Sequence, residues 1–437
     1  MATYKLYKVP EQGHKILLDR YHNLIVPDDP IIPYIEGDGI GVDITPAMRK
    51  VVDAAVEKAY QGKRKIHWME VWAGNKAYHN VGEFIPEETL QVLRDFVVSI
   101  KGPLTTPVGG GIRSLNVKIR QELDLYACVR PVHWYGQGSP IKRPELVNYT
   151  IWRENTDDIY IGVEWPKDSN EVLKLLDFLR NELGVDPKKL PYDCSITIKP
   201  TSEYKSKRLI RKAIRWAYAN ADKFVSKERP LVTVTLVHKG NIQKFTEGFF
   251  MKYGYEVADE PEFRGYVITE KRLNEEYNGD VAKAYDEGYR ILLNDRIADN
   301  IFQQLLTRTG EYNVLIAQNL NGDYLSDAAA GLIGGLGLAP GSNIGDGLAV
   351  FEATHGTAPK YAGKDKVNPG SLILSAAFML EYMGWKEAAN KIHDAIRKTL
   401  ADGIGTYDLV REWKKEGRTE VTEVSTSGFA QAIVEHM

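Results

Sequence analysis

The chain is 437 residues long, more than one simple hydrophobic core usually serves, so two or three domains are expected. Hydrophobic residues make up 43% and charged residues 26%, with a net charge of −3, so no global field favours nucleic acid or an anionic membrane and any anion site must be built locally. Cys128 and Cys194 supply neither a disulfide framework nor a metal-ligand spacing, and both read as buried, inert thiols. No apolar run approaches the roughly 18 residues of a membrane span and the N-terminal stretch has no cleavage pattern, so a reduced, cytoplasmic protein is expected.

The first 30 residues read as a polar arm with a short strand or two. Residues 31–35 have a buried-strand pattern that runs into a glycine-rich turn and a helix over 43–60. A strand over 65–71 follows, then a helix over 86–96 with Glu87 and Glu88 in its first turn, and a strand over 96–100 that empties into KGPLTTPVGGG. Strands alternating with helices predict an α/β sheet with ligand loops at strand ends. Beyond Cys128, residues 147–152 and 158–165 read as adjacent strands, 170–183 as a helix, 194–199 as a strand and 202–219 as an amphipathic helix rich in Lys and Arg. LVTVTLV at 231–237 has strong β preference. Helices are expected over 247–253 and 295–306, with a charged, helix-prone stretch at 271–289 between them. A strand over 314–317 leads into QNLNGDYLSD and another helix. The tract 331–347 is dense in glycine but contains no G-x-G-x-x-G after a strand, which argues against a Rossmann cofactor site there. Helices over 371–382 and 387–400 precede a short tail.

The chemistry concentrates in a few stretches. In GGGIRSLNVKIRQELDLYACVR, at 109–130, three glycines allow close backbone approach and Ser114 stands where a helix would begin, a position that attracts anions. Asn116 and Arg120 share a helical face, and Arg113, Arg120 and Arg130 carry forks that match carboxylates, so the stretch reads either as a site for a small polyanion or as a solvated basic helix. Asp323, in the loop after a strand, and Asp327, one helical turn on, suit a hard cation such as Mg²⁺ or Mn²⁺; Asp295 and Asp299 repeat the spacing on an earlier helix, where an exposed acidic edge is the simpler reading. Lys239 ends a buried strand, where desolvation would suit it to proton transfer, unless it is an ordinary turn lysine. Tyr160 is a core residue by pattern whose hydroxyl also suits a proton donor, and Arg153 adds a carboxylate ligand. HGTAPKYAG, from His355, and the pair Tyr407 and Arg411 offer small residues, two cations and two hydroxyls, a set suited to a phosphate ester rather than a bare ribose diol.

PYIEGDGIG, KGPLTTPVGGGIRSLNVKIRQELDLYACVRPV, RENTDDIYIG, VTLVHKGNIQKFTEGFF, NLNGDYLSDAAAG and FEATHGTAPKYAGKDKVNPGS together resemble the isocitrate/isopropylmalate dehydrogenase family, and within it the NADP-dependent isocitrate dehydrogenases of the prokaryotic homodimeric type. The resemblance runs over nearly the whole chain from about residue 30, and is least distinct before it and around 271–289. It implies a non-Rossmann α/β fold with a large domain from 1–125 and 334–437, a small domain from 126–157 and 212–333, and an inserted clasp at 158–211 that interlocks with a twin chain. It further implies that Ser114, Asn116, Arg120, Arg130 and Arg153 bind isocitrate, that Tyr160 and Lys239 handle protons, and that Asp295, Asp323 and Asp327 hold Mg²⁺ or Mn²⁺. Lys239 and Asp295 would come from the neighbouring chain. Thr105, His355, Gly356, Thr357, Ala358, Pro359, Lys360, Tyr361, Asn368, Tyr407 and Arg411 would line the NADP site. The expected reaction is oxidative decarboxylation of isocitrate. The rivals are a sister β-decarboxylating dehydrogenase for homoisocitrate, isopropylmalate or tartrate, and a non-catalytic anion-binding or nucleic-acid-binding protein. An isopropyl tail would need an apolar pocket where Ser114 and Asn116 are polar.

Overall fold

The computed structural model describes residues 4–106 and 114–437, so the glycine run at 109–111 and Arg113 lie outside the described residues. Eleven strands form one mixed sheet: β1 (Ile31–Ile35), β2 (His67–Glu70), β3 (Val98–Lys101), β4 (Ala127–His133), β5 (Asn148–Glu154), β6 (Val232–His238), β7 (Val267–Thr269), β8 (Ile291–Ile297), β9 (Val314–Ala317), β10 (Pro340–Ile344) and β11 (Ala349–Ala353). Their spatial order is β7-β8-β6-β9-β5-β4-β10-β11-β3-β1-β2. Strands β7, β8, β6, β9 and β5 run parallel, as do β11, β3, β1 and β2. The antiparallel pairings β5/β4, β4/β10 and β10/β11 join the two parallel sets. Parallel strands must be covered on both faces, which is why β9 is a continuous apolar run and β6 is buried along nearly its whole length.

Eight helices matter for the site: α1 (Gly41–Tyr60), α2 (Leu115–Glu122), α3 (Glu203–Ala219), α4 (Glu247–Ala258), α5 (Ala298–Thr307), α6 (Asn319–Gly331), α7 (Gly370–Tyr382) and α8 (Tyr407–Lys415). Helix α3 shows how sequence sets the packing. Ser202 caps it by accepting from Lys205 N at 3.2 Å, and Ser206, Leu209, Ile210, Ala213, Ile214 and Ala217 recur at helical spacing on its buried face. Helix α7 is apolar all round and buried from Gly370 to Leu380, as befits a helix enclosed by the sheet, α1 and a following helix at Lys386–Ala401. Among the described residues no helix is long and apolar enough to cross a membrane.

Several sequence expectations change. Residues 158–165 are not a strand beside β5: Asp158–Ile161 is a 3-10 turn, and Glu164–Trp165 pairs with Ile196–Thr197 in a separate small sheet. Asp158 and Gly162 both take positive φ, +69° and +66°, which interrupts an extended run. The helix expected over 295–306 begins at Ala298, and Asp295 belongs to β8; its pairing with Leu236 of β6, in a ladder that continues to Ile297, overrides the local helical spacing. Asp323 lies within α6 rather than in a loop before it. The charged stretch 271–289 is two short helices, broken at Asn278 and Gly279 with φ of +51° and +76°. The tail carries two more helices, α8 and Thr426–Glu435. Cys128 is buried as expected, whereas Cys194 is partly exposed.

Candidate active site

Arg130 on β4 and Arg153 on β5 come from neighbouring antiparallel strands at the centre of the sheet. Helix α6 lies against them because residue 322 is glycine: a Cβ there would stand 2.7 Å from Arg153 Cβ and Cγ. That approach places both carboxylates of α6 on arginines. Asp323 Oδ1 pairs with Arg153 Nη1, Asp323 Oδ2 accepts from the Tyr160 hydroxyl at 2.5 Å, and Asp327 Oδ1 accepts from Arg130 Nη1 at 2.9 Å. Asn319 Oδ1 accepts from Arg153 Nε at 2.8 Å and Ser326 Oγ from Arg130 Nη1 at 2.6 Å. Arg120, from α2, donates through Nη2 to Glu352 Oε1 at 2.8 Å, and the other oxygen of Glu352 lies 2.6 Å from Lys101 Nζ. Ser114 occupies the N-cap position of α2, yet its hydroxyl makes no capping bond to the helix.

The guanidiniums are not satisfied by these partners. Arg120 Nε, Arg130 Nε and Asn116 Oδ1 are buried with no hydrogen-bond partner among the described residues. Buried N–H groups left in this state cost about 1–3 kcal/mol each, so the arrangement suits an anionic ligand that accepts from them. Burial would raise the Asp323 carboxyl, but Arg153, the Tyr160 hydroxyl, Arg130 and Arg120 outweigh it and hold Asp323 below the usual carboxylate range. Burial first, and then the hydrogen bond to Asp323, push the Tyr160 phenol up to about 12, so it keeps its proton at neutral pH. Glu352 is held down by Lys101 and Arg120 against the opposing effect of burial.

Not all of the expected ligands meet within one chain. Asp323 and Asp327 form a two-carboxylate clamp on one face of α6, fitting a hard divalent cation. Asp295 is held elsewhere, by His238 Nε2 at 2.9 Å and by the Tyr255 hydroxyl. Among the described residues no cluster of three or more His, Cys, Asp or Glu side chains gathers to hold a metal, so the three-aspartate set is not assembled inside a single chain. Of the two readings of Lys239, the turn lysine is the one seen within a single chain. Its side chain is 31% exposed and its Nζ lies 2.5 Å from Asp299 Oδ2, because it sits on the turn beyond β6 rather than inside the strand.

The proposed cofactor side is built from loops at the ends of β1, β3 and β11. A Cβ on Gly39 would lie 2.1 Å from Thr357 O, so glycine lets the turn after β1 press on the loop after β11. Ile40 N donates to Thr357 O at 2.9 Å, and the Thr105 hydroxyl to Thr357 Oγ1 at 3.1 Å. His355 bonds Gly356 O through Nδ1 at 3.0 Å, while its Nε2 is buried without a partner among the described residues; burial lowers its pKa, so the neutral imidazole is favoured. Ala358 takes a φ of +36° and turns the chain into Pro359–Tyr361. Lys360 Nζ stands 4.9 Å from the centre of the Tyr361 ring, and the Tyr361 and Tyr407 rings are 5.9 Å apart. Arg411 follows on α8, bonded through Nε to Glu412 at 2.8 Å. Asn368 faces inward, accepting from Gly370 N at 2.8 Å and donating to Asp408 at 3.2 Å. The orphaned His355 Nε2 and the Lys360, Tyr361 and Tyr407 cluster fit a phosphorylated dinucleotide.

Sequence reasoning passed over Glu352, Lys101, Asn319 and Asp38. Glu352 is a lone charge inside the apolar strand AVFEA, a pattern that demands a buried partner. Asp38 fixes the loop after β3, accepting from Thr105 N and Asn75 N at 2.8 Å each.

Fold and site together define an α/β protein built to hold a small polyanion beside a divalent cation, with a cofactor site that owes nothing to a Rossmann turn. A family model for isocitrate/isopropylmalate dehydrogenase matches residues 31–433. The chain belongs to that family. It is 55% identical over 437 residues to a protein of Archaeoglobus fulgidus named isocitrate dehydrogenase (NADP), covering 99% of each chain. It is 52% identical to the protein of that name from Coxiella burnetii, covering 100% of this chain and 98% of the relative. Among solved structures, the isocitrate dehydrogenase of Methylococcus capsulatus superposes with a TM-score of 0.71 at 35% identity, over 93% of this chain and 99% of that one. The TT0538 protein of Thermus thermophilus superposes at 0.72 with 29% identity, over 96% and 71%.

Proposed function

We infer that this chain oxidises isocitrate at C2 and releases CO₂ to give 2-oxoglutarate, with NADP⁺ as acceptor and Mg²⁺ or Mn²⁺ as cofactor. The observation that carries the reading is the pair of buried N–H groups, Arg120 Nε and Arg130 Nε, that have no partner among the described residues, beside the Asp323 and Asp327 clamp, in a chain of this family. Bound nicotinamide would supply the hydride acceptor, and a divalent ion held by Asp323 and Asp327 would supply Lewis-acid stabilisation of the negative charge that develops on the substrate.

The chain's own groups do the rest. Arg120, Arg130 and Arg153 grip the substrate carboxylates, with Ser114 and Asn116 beside them, and Asp323 and Asp327 hold the ion. Tyr160, protonated at neutral pH, gives its proton to C3 after decarboxylation, and Lys239 handles the proton of the C2 hydroxyl. Lys239 and Asp295 act in the partner's site of a homodimer, interlocked through the clasp at 158–211 between a large domain and a small one; this reading also answers why Asp295 lies apart from Asp323 within one chain. The protein works in the cytoplasm. The sister dehydrogenases are disfavoured by polar Ser114 and Asn116 and by the names of the relatives. Absorbance of reduced nicotinamide with isocitrate, NADP⁺ and either metal tests the function, and silence under every metal would sink it.

The coenzyme prediction follows from the cluster after β11. NADP⁺ is expected to be used at least about a hundredfold better than NAD⁺, since two charge-assisted bonds to the 2′-phosphate contribute roughly 1.5–3 kcal/mol each before screening. Arg411 keeps both Nη groups for that phosphate while Nε bonds Glu412. Lys360→Asp removes an attraction and adds a repulsion, so the ratio of kcat/KM values should collapse in that variant and fall less in Arg411→Ala. An unchanged ratio in both would remove these residues from the phosphate pocket.

A further inference from the structure

Beside the substrate cleft, two buried carboxylates share one lysine. Lys199 Nζ lies 2.9 Å from Asp158 Oδ1 and 3.0 Å from Glu247 Oε1. The side chains of Asp158 and Glu247 are 1% and 2% exposed, and that of Lys199 is 16% exposed. Ion pairs this deep hold their geometry stiffly, because breaking one strands a charge in a medium of low dielectric.

What the carboxylates do with their remaining capacity is informative. Asp158 Oδ2 accepts from Leu320 N at 3.0 Å, in the first turn of α6 and three residues before Asp323. Its Oδ1 also accepts from Ile159 N at 2.7 Å, which holds the turn bearing Tyr160. Glu247 Oε2 accepts from the backbone N–H of Lys239 and from Asn321 Nδ2, the latter at 2.9 Å. One half-buried lysine thus ties together the Tyr160 turn, the Lys239 turn and the start of α6. The Lys239 turn is fixed from a second side as well: a Cβ on Gly240 would stand 2.8 Å from Gly248 Cα, so only glycine lets it press on the first turn of α4. Lys199 itself lies just beyond Ile196–Thr197, whose partner strand Glu164–Trp165 is the other arm of the segment that crosses between chains in the proposed dimer.

We propose that Lys199, with Asp158 and Glu247, is a positioning triad for the proton-handling groups, and that it couples the two active sites of the dimer. The proposal rests on the proton roles and the site sharing inferred above. The Tyr160 and Asp323 that the triad holds serve the chain's own site, and the Lys239 that it holds serves the partner's. Displacement of the triad therefore disturbs both sites at once. Substrate affinity changes less than turnover, because Arg120 is anchored away from α6 by Glu352 and Arg130 and Arg153 keep their places in the paired strands β4 and β5.

The test uses full chains with saturating Mg²⁺, isocitrate and NADP⁺. Lys199→Met is expected to lower kcat about 30-fold or more and to alter the pH profile of kcat, with KM for isocitrate and NADP⁺ within about threefold of wild type; Lys199→Arg should recover most of the loss. The double variant Lys199→Met with Glu247→Gln removes one of the two carboxylate charges that Lys199→Met strands. It should regain part of the thermal stability but not turnover, which separates positioning from folding and carries the test if Lys199→Met alone does not fold. A one-to-one hybrid of Lys199→Met and wild-type chains should turn over at well below half the wild-type rate. A hybrid at half the wild-type rate would confine the triad to one site and overturn the coupling. Wild-type kcat and pH profile in both Lys199→Met and the double variant would overturn the positioning role. Lys239→Met and Tyr160→Phe are run in parallel: full turnover in both would show instead that the proton assignments, and the proposal with them, are wrong.

Discussion

Replacing Arg153 with Met is expected to cut kcat/KM for isocitrate by about a thousandfold or more. The guanidinium is 1% exposed and spends Nε on Asn319 and Nη1 on Asp323. Removing one member of a buried pair costs roughly 3–5 kcal/mol, much of it from the charge left behind, and here the substrate carboxylate loses its partner as well. Asp323 bears the second consequence. Its carboxyl is held below the ordinary carboxylate range largely by Arg153, so it contributes stability above that range that is lost as pH falls through its lowered value. Without Arg153 that contribution shrinks, and acid unfolding should begin at higher pH. Arg153→Lys is a poor rescue because one ammonium cannot meet Asn319 and Asp323 in the geometry of a planar fork. Turnover and acid unfolding of Arg153→Met and Arg153→Lys check this; wild-type kcat/KM in the Met variant would take Arg153 out of the substrate site.

Much of this site was legible because its residues sit in long, chemically marked stretches. Ser114, Asn116 and Arg120 fall where a helix start and its spacing put them, and Asp323 and Asp327 do share a helical face. The misses have physical reasons. Asp295 and Asp299 stand at helical spacing, but the ladder with β6 runs on to Ile297 and pairs Asp295 with Leu236, which claims Asp295 for the strand. Glu352 looked like part of a motif rather than a participant, since only the folded chain shows that two cations, Lys101 and Arg120, converge on it. Lys239 left two readings open after its apolar strand, and only the folded chain separates them: it turns at Gly240 and delivers the lysine to Asp299. Local pattern carries the elements and the charge; strand order and helix approach decide which charges meet.

The largest gain in activity should come from mixing two inactive chains. Lys239→Met removes the proposed proton-handling group, and Asp323→Asn the proposed metal ligand, a carboxylate that also receives Tyr160 and Arg153. Each homodimer should be nearly silent. If Lys239 serves the partner's site, a hybrid dimer pairs the intact Asp323 of one chain with the intact Lys239 of the other, so one of its two sites is whole and the second carries both lesions. Random re-association of equal amounts makes half of the dimers hybrids, and the mixture should recover to about a quarter of the wild-type rate. If Lys239 instead acts within its own chain, every site in the hybrid keeps one lesion and nothing is recovered. The arrangement within one chain favours the first outcome: Lys239 is engaged with Asp299, and Asp295 with His238 and Tyr255, while the Asp323 and Asp327 clamp lacks a third carboxylate among the described residues. Hybrids must be isolated with distinct affinity tags, because silence counts against sharing only when their presence is shown. A recovered rate that depends on both tags being co-purified would establish that each metal and proton site is completed across the dimer.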